Sequence, residues 1–66
     1  MHIFLNGRPR ETAGEATLAS LLEEAGIRAE NVAVAVNNSV VPRSRIPSTR
    51  LCEGDRIEVI TAAGGG

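Results

Sequence analysis

A single short helical pattern, with strand patterns before and after it, leaves few folds open to this chain. The apolar positions of the pattern are Leu18, Leu21, Leu22 and Ala25. This spacing places them on one face of a helix, with Thr17 at the N-cap position and Gly26 where a left-handed residue can end the helix. A helix of this length is marginal in isolation, so we expect residues 18–25 to pack on a sheet.

The start of the chain predicts a β-hairpin. Residues 2–5 are apolar or nearly so, and the Asn6-Gly7 pair that follows is typical of a type I′ turn, in which both residues have positive φ. The return strand, near residues 8–12, contains Pro9, which cannot donate a hydrogen bond to a neighbouring strand. We therefore expect the return strand to lie at an edge of the sheet.

Two strand patterns follow the helix directly. Valines alternate with alanines in residues 32–36, which predicts a strand with all its valines on one face. A turn at residues 37–39 leads to a short strand at residues 40–41. The next segment, residues 43–50, is expected to be irregular because prolines precede and interrupt it.

The last strand pattern follows a tight turn at residues 53–55. Residues 56–60 alternate, so that Ile57 and Val59 share one face and Ile60 lies on the other. A hairpin followed by a helix and further strands predicts an α+β fold of the β-grasp (ubiquitin-like) type. We expect a mixed sheet of four to five strands with one main helix packed on one face.

The domain organisation follows from the same patterns. Residues 1–61 are predicted to form the β-grasp domain, and residues 62–66 a flexible C-terminal glycine tail. The sequence shows no internal repeat and no pattern for a second domain.

Size and charge exclude several classes of function. A chain of 66 residues builds one thin core and has no room for a deep substrate cleft, which argues against a free-standing enzyme. The formal net charge of −1 argues against non-specific nucleic-acid binding, and we expect no nucleic-acid partner. No apolar run approaches the length of a membrane span, and the first residues do not resemble a signal peptide. We therefore expect a cytoplasmic protein with no membrane partner.

No set of side chains predicts catalysis or a metal site. His2 is the only histidine and is expected at the surface. Cys52 is the only cysteine, so it closes no internal disulfide and anchors no metal set, and we expect it to be a small buried hydrophobe. Arg43, Arg45 and Arg50 form either a solvated face or a contact with an acidic patch on a partner.

The glycine run Gly64-Gly65-Gly66 is the unusual feature of the sequence. By itself it is compatible with an inert frayed end. Residues without side chains can also thread a narrow channel in a partner, because no Cβ meets the walls. The terminal carboxylate is the reactive group that such a channel would receive.

Several stretches of the chain together carry a family resemblance. They are Ile3-Phe4-Leu5-Asn6-Gly7, Thr17-Leu18-Ala19-Ser20-Leu21-Leu22, Val34-Ala35-Val36-Asn37, Val40-Val41-Pro42-Arg43, Gly54-Asp55-Arg56-Ile57-Glu58-Val59 and the final Gly65-Gly66. In order, spacing and length the chain resembles the ThiS family, the ubiquitin-like sulfur carriers of thiamine biosynthesis. The resemblance covers essentially the whole chain. It departs from the family pattern after Val-Pro-Arg, where members often have an aromatic residue and this chain has Ser44-Arg45-Ile46-Pro47.

The resemblance implies a carrier whose chemistry takes place at Gly66. A ThiF-like adenylyltransferase would use ATP to adenylate this carboxylate, and sulfur from a persulfide donor enzyme would convert it to a thiocarboxylate. A ThiG-like thiazole synthase would then take the sulfur for the thiazole ring of thiamine. Gly64 and Gly65 would pass through the partner's channel. The carrier itself would hold no cofactor and no catalytic residue.

Two alternative functions remain open. The first is a sulfur carrier of another pathway, such as the molybdopterin synthase small subunit, tRNA thiolation or cysteine synthesis. The molybdopterin-type carriers often have a Pro-Pro pair before the terminal glycines, and residues 61–64 contain no proline. The second is a non-covalent β-grasp binding module, for example an RNA-contacting domain. That function predicts stacking aromatics, whereas Phe4 is the only aromatic residue.

Overall fold

A computed structural model of the chain describes residues 1–61, which form five β-strands, one α-helix and two short 3₁₀-helices. The strands are β1 (His2–Leu5), β2 (Arg8–Glu11), β3 (Val32–Val36), β4 (Ser39–Val41) and β5 (Arg56–Thr61). Helix α1 spans Leu18–Glu24, and the 3₁₀-helices span Ala29–Asn31 and Arg43–Ser48. The predicted tail, residues 62–66, lies outside the described residues.

The strands form one mixed sheet in the order β2-β1-β5-β3-β4. β1 and β5 run parallel, and the other neighbouring pairs run antiparallel. Helix α1 connects β2 to β3 and packs on one face of the sheet. This is the predicted β-grasp arrangement, and β2 with its Pro9 lies at the sheet edge as expected.

Both hairpins turn through residues with positive φ. Asn6 and Gly7, between β1 and β2, have φ values of 52° and 82°, which confirms the predicted type I′ geometry. Asn37 and Asn38, between β3 and β4, have φ values of 51° and 70°. Asparagine tolerates this left-handed conformation better than most residues, so the second hairpin needs no glycine.

Helix α1 begins and ends close to its predicted limits. Thr17 and Ser20 form a reciprocal capping box, in which each hydroxyl accepts a hydrogen bond from the other residue's backbone N–H at 3.1 Å and 3.0 Å. Ala25 is the C-cap, so the helix is one residue shorter than expected. Gly26 follows with a φ of 74°, the left-handed conformation that ends a helix.

The core lies between α1, the sheet and the connection from β4 to β5. Its large buried side chains are Ile3, Leu18, Leu21, Leu22, Val34, Ile46, Leu51 and Ile57. The predicted apolar faces of the helix, of β3 and of β5 all contribute to this list.

The prediction of an irregular segment at residues 43–50 is wrong in part. Residues Arg43–Ser48 form a 3₁₀-helix, which places Ile46 in the core with 4% of its surface exposed. The backbone N–H of Arg45 donates to the Pro42 carbonyl oxygen at 2.8 Å. Pro47 has no N–H to continue an α-helix, but it is compatible with one short 3₁₀ segment.

Candidate functional site: strand β5 and the open face of the sheet

Strand β5 lies at the centre of the sheet and is the last described element of the chain. It pairs with β1 on one side and with β3 on the other. Its final residue, Thr61, lies opposite Val32, the first residue of β3. Thr61 therefore lies at the end of the sheet where β3 begins.

The start of β5 is held by the side chain of Asn37, in the second hairpin turn. The Asn37 side-chain amide donates to Asp55 Oδ1, and the Arg56 backbone N–H donates to Asn37 Oδ1, both at 3.0 Å. The Asn37 backbone N–H also donates to the Arg56 carbonyl oxygen at 2.8 Å. The other carboxylate oxygen of Asp55 accepts from the Cys52 N–H at 2.8 Å, which ties the preceding turn to the same point.

The first hairpin turn holds the middle of β5. The Asn6 backbone N–H donates to the Ile57 carbonyl oxygen at 2.8 Å, and Asn6 Oδ1 accepts from the Val59 N–H at 2.8 Å. An asparagine from each hairpin thus fixes the strand from which the terminal residues extend.

Replacing Asn37 with glycine is expected to lower the free energy of unfolding by about 1–2 kcal/mol, because two side-chain hydrogen bonds to β5 are lost. Glycine adopts positive φ without strain, so the change tests the bonds and not the turn. Asn38→Gly alters the same turn without removing those bonds and is the matched control. Urea unfolding of the three proteins measures the difference. Equal midpoints for the two variants would show that the Asn37 side-chain hydrogen bonds to Asp55 and Arg56 do not stabilise the fold.

The face of the sheet opposite α1, here called the open face, carries residues from all five strands. They are Phe4 of β1, Pro9 of β2, Ala33 and Ala35 of β3, Val40 of β4, and Arg56, Glu58 and Ile60 of β5. The strand register assigns them to one face, because residues directly paired across a sheet point to the same side. The register pairs Phe4 with Arg56, and Ile60 with Ala33.

The large apolar side chains exposed within residues 1–61 all belong to this open face. Phe4, Val40 and Ile60 are 37%, 75% and 61% exposed. Single exposed apolar residues are ordinary. The register places the charged Arg56 and Glu58 of β5 between Phe4 and Ile60, so apolar and charged side chains alternate on this face. The outward direction of Ile60 was predicted from the alternation of β5. Phe4 and Val40 were not recognised, although each stands next to an inward apolar residue, which is the pattern of a strand apolar on both faces.

Cys52 is exposed, so the prediction of a buried cysteine is wrong. Leu51 takes the inward position and is only 6% exposed, and neighbouring residues of an extended chain point to opposite sides. Cys52 also begins a turn, in which its carbonyl oxygen accepts from the Asp55 N–H at 3.0 Å.

The other candidate side chains lie apart from one another. His2 is exposed on β1, as predicted. Arg43 and Arg45 are exposed on the second 3₁₀-helix, which packs beside α1 on the covered side of the sheet. Arg43 donates to the Glu30 carbonyl oxygen. The side chain of Arg50 is exposed, and its backbone forms an isolated antiparallel β-bridge with Thr17, the residue before α1. Arg43 and Arg45 therefore do not extend the open face, where Arg56 lies.

Gly64, Gly65 and Gly66 lie outside the described residues. Within residues 1–61, no group of three or more His, Cys, Asp and Glu side chains is placed to hold a metal ion. The helices of this part of the chain are all too short or too polar to cross a membrane.

The strand order, the single helix and the central last strand define a domain of the ubiquitin-like β-grasp class. The family model described as the ThiS family matches residues 3–66. This chain belongs to the ThiS family, as its sequence patterns indicated.

A sulfur carrier protein and thiazole synthases are among the curated relatives that match the chain. The sulfur carrier protein ThiS of Thermus thermophilus is 38% identical over 64 residues, which cover 97% of this chain and 98% of that protein. A thiazole synthase of Magnetococcus marinus is 42% identical over 66 residues, the whole of this chain. The thiazole synthases that match are much longer, and the chain covers 20% of their length.

A solved structure shares the fold over its full length. The crystal structure of a thiamine biosynthesis protein (ThiS) from Geobacter metallireducens superposes with a TM-score of 0.87, at 30% identity, covering 100% of both chains. No part of the described fold departs from the β-grasp architecture predicted from the sequence.

Proposed function

We propose that this chain is a sulfur carrier of thiamine biosynthesis that is charged at the carboxyl group of Gly66. The observation that carries the proposal is the family match, which extends from residue 3 through the terminal glycines to residue 66. A relative named as a sulfur carrier protein supports it, since it aligns with nearly all of both chains.

The chemistry of a free carboxylate explains why activation is needed. An α-carboxyl group has a pKa of about 3.5, so it is an anion at neutral pH and a poor electrophile. A ThiF-like adenylyltransferase joins this carboxylate to the α-phosphorus of ATP and releases pyrophosphate. The terminal sulfur of a protein persulfide then attacks the acyl carbon and AMP leaves. A second thiol cleaves the resulting sulfur–sulfur bond, which leaves a thiocarboxylate on Gly66.

The folded domain supplies recognition and position, and no catalytic group. Strand β5 is held by Asn6 and Asn37, so the origin of residues 62–66 is fixed relative to the open face. A ThiG-like thiazole synthase takes the sulfur from the charged carrier. The thiazole synthases that contain a matching region support this choice of acceptor, because in them a carrier-like segment belongs to the same chain as the synthase. Since activation consumes ATP, we place the reaction in the cytoplasm.

The proposal is tested by mass measurement of the intact protein during charging. Incubation with ATP, the adenylyltransferase of the source organism and a persulfide donor is expected to add roughly 16 Da, the difference between sulfur and oxygen. Fragmentation should place the added mass on Gly66, and alkaline hydrolysis should remove it. An unchanged mass, in a reaction where the adenylyltransferase is active on a known carrier, would overturn the proposal.

Gly65→Ala is expected to slow charging at least about tenfold, or about 1.4 kcal/mol in the barrier. The added Cβ meets the wall of a channel that accepts only backbone, whereas the fold of residues 1–61 is untouched. Ala63→Ser also adds one heavy atom, but ahead of the glycines, and is the control. Charging is followed by mass and folding by thermal unfolding. Equal charging rates for both variants would contradict a narrow channel at position 65.

A further inference from the structure

Strand β5 extends further than its parallel neighbour β1. β1 ends at Leu5, which pairs with Ile57, whereas β5 continues from there to Thr61. On its other side β5 is accompanied to its end by β3, since Val32 pairs with Thr61. Residues 58–61 therefore form an edge on the β1 side, although β5 as a whole lies at the centre of the sheet.

The backbone groups of β5 alternate between its two neighbours. The Arg56 carbonyl oxygen accepts from the Asn37 N–H on the β3 side at 2.8 Å. The Ile57 carbonyl oxygen accepts from the Asn6 N–H on the β1 side, also at 2.8 Å. Val59 follows the same alternation, because its N–H donates to Asn6 Oδ1 at 2.8 Å. The side chain of Asn6 thus takes the place of the next residue of β1.

Two backbone groups of β5 lie beyond this contact with Asn6. The alternation directs the Val59 carbonyl oxygen and the Thr61 N–H to the β1 side, where neither forms a hydrogen bond within residues 1–61. Space beside the adjacent turn is open, because a Cβ added to Gly7 would meet no atom within 4 Å apart from its chain neighbours. In a parallel pair, the N–H and C=O of one residue bond alternate residues of the neighbouring strand, so a single residue of an added strand can satisfy both groups.

The residues after Thr61 restrict how a partner can recognise the end of the chain. Two alanines and three glycines offer no side chain larger than a methyl group, so specific recognition depends on main-chain groups. A strand added to an exposed sheet edge supplies such main-chain hydrogen bonds. After charging, the sulfur on Gly66 distinguishes the carrier chemically, whereas before charging Gly66 ends in an ordinary carboxylate. The activating enzyme is therefore the partner that depends most on main-chain recognition.

We propose that an extended segment of the adenylyltransferase adds to this free edge of β5, in the place that β1 leaves beyond Asn6, and bonds the Val59 carbonyl oxygen and the Thr61 N–H. This inference rests on the proposed function and names the contact by which the activating enzyme recognises the carrier. The enzyme binds the chain at the last residue of the sheet. The five residues that follow Thr61 then span at most about 17 Å to the active site.

Amide hydrogen exchange of the isotope-labelled carrier tests this contact directly. In the free carrier the Ile60 amide, which faces its pair Ala33, should exchange at least about tenfold more slowly than the Thr61 amide. Saturating adenylyltransferase without ATP should slow exchange at Thr61 at least about tenfold. Unchanged exchange at Thr61 in the complex would overturn the edge contact. Slowing by the thiazole synthase and not by the adenylyltransferase would overturn the choice of enzyme.

Thr61→Pro removes the N–H that the added strand would bond. Proline is tolerated where a strand N–H faces solvent, so thermal unfolding should change little. The KM for the carrier in charging should rise at least about tenfold, because a carbonyl group of the enzyme loses its hydrogen bond. Thr61→Ala keeps the N–H and should raise the KM at least about threefold less than Thr61→Pro does. Equal KM values for the two folded variants would overturn the edge contact, and sulfur addition to wild-type Gly66 would show that the proposed function still stands.

Discussion

Leu22→Ala is expected to lower the free energy of unfolding by about 2–5 kcal/mol. Leu22 lies on α1 with 2% of its surface exposed, packed in the cluster that joins the helix to the sheet. Truncation removes the buried atoms and leaves a cavity that a thin core closes only partly. A domain of this size has a total stability of about 3–10 kcal/mol, so a large share of it depends on this one side chain.

The measurement is urea unfolding of wild type, Leu22→Ala and Glu24→Ala. Glu24 lies two residues further along the same helix and is exposed, so its truncation should change stability by less than about 0.5 kcal/mol. The comparison separates the loss of core packing from any general effect of alanine in this helix. Equal midpoints for the two variants would show that the apolar face of the helix is not the face that packs on the sheet.

Structure set by neighbouring residues could be predicted from the sequence. The Asn6-Gly7 turn has few alternatives, because both of its residues adopt positive φ. The helix was located by Thr17 and Gly26, whose effects act within one turn of the chain. Strand faces followed from alternation, since a side chain's direction in a strand depends only on its position.

Features set by contacts between distant residues were missed. The 3₁₀-helix around Ile46 is stabilised by packing against α1, which its own residues do not indicate. Cys52 is exposed because Leu51 fills the inward position, and the two residues share similar apolar character in the sequence. The bonds from Asn37 to Asp55 and Arg56 join positions 18 and 19 residues apart, and no local pattern relates them.

In the candidate site, too, features set by neighbouring residues could be predicted and features set by distant contacts could not. The glycine run could be singled out as the candidate reactive end because its position and composition are visible in the sequence. The open face could not be recognised from the sequence. Phe4, Ile60 and Val40 lie on β1, β5 and β4, which are brought into one sheet only by the strand order β1-β5-β3-β4. Which exposed side chains share a face of the sheet is known only when the strand register is known.

Deleting Gly66 is expected to lower the charging rate at least about 100-fold, although the shortened protein still ends in a glycine carboxylate. One residue of extended chain is about 3.3–3.6 Å, and the carboxylate must lie about 3–3.5 Å from the phosphorus it attacks. A misplacement of about 1 Å can already cost a factor of 100. Since Asn6 and Asn37 hold β5 within the domain, the strand cannot move forward relative to the rest of the domain to make up this length.

Gly64→Ala gives the matched comparison. It also leaves two glycines at the end of the chain, but it keeps the wild-type length, so it differs from the deletion by one alanine alone. We expect it to retain charging within about tenfold of wild type, because its terminal carboxylate still reaches the nucleotide. Single-turnover charging followed by intact mass separates the two variants. If both were charged at the same rate, tail length would not control the reaction, and recognition of the terminal Gly-Gly pair alone would account for the specificity of the activating enzyme.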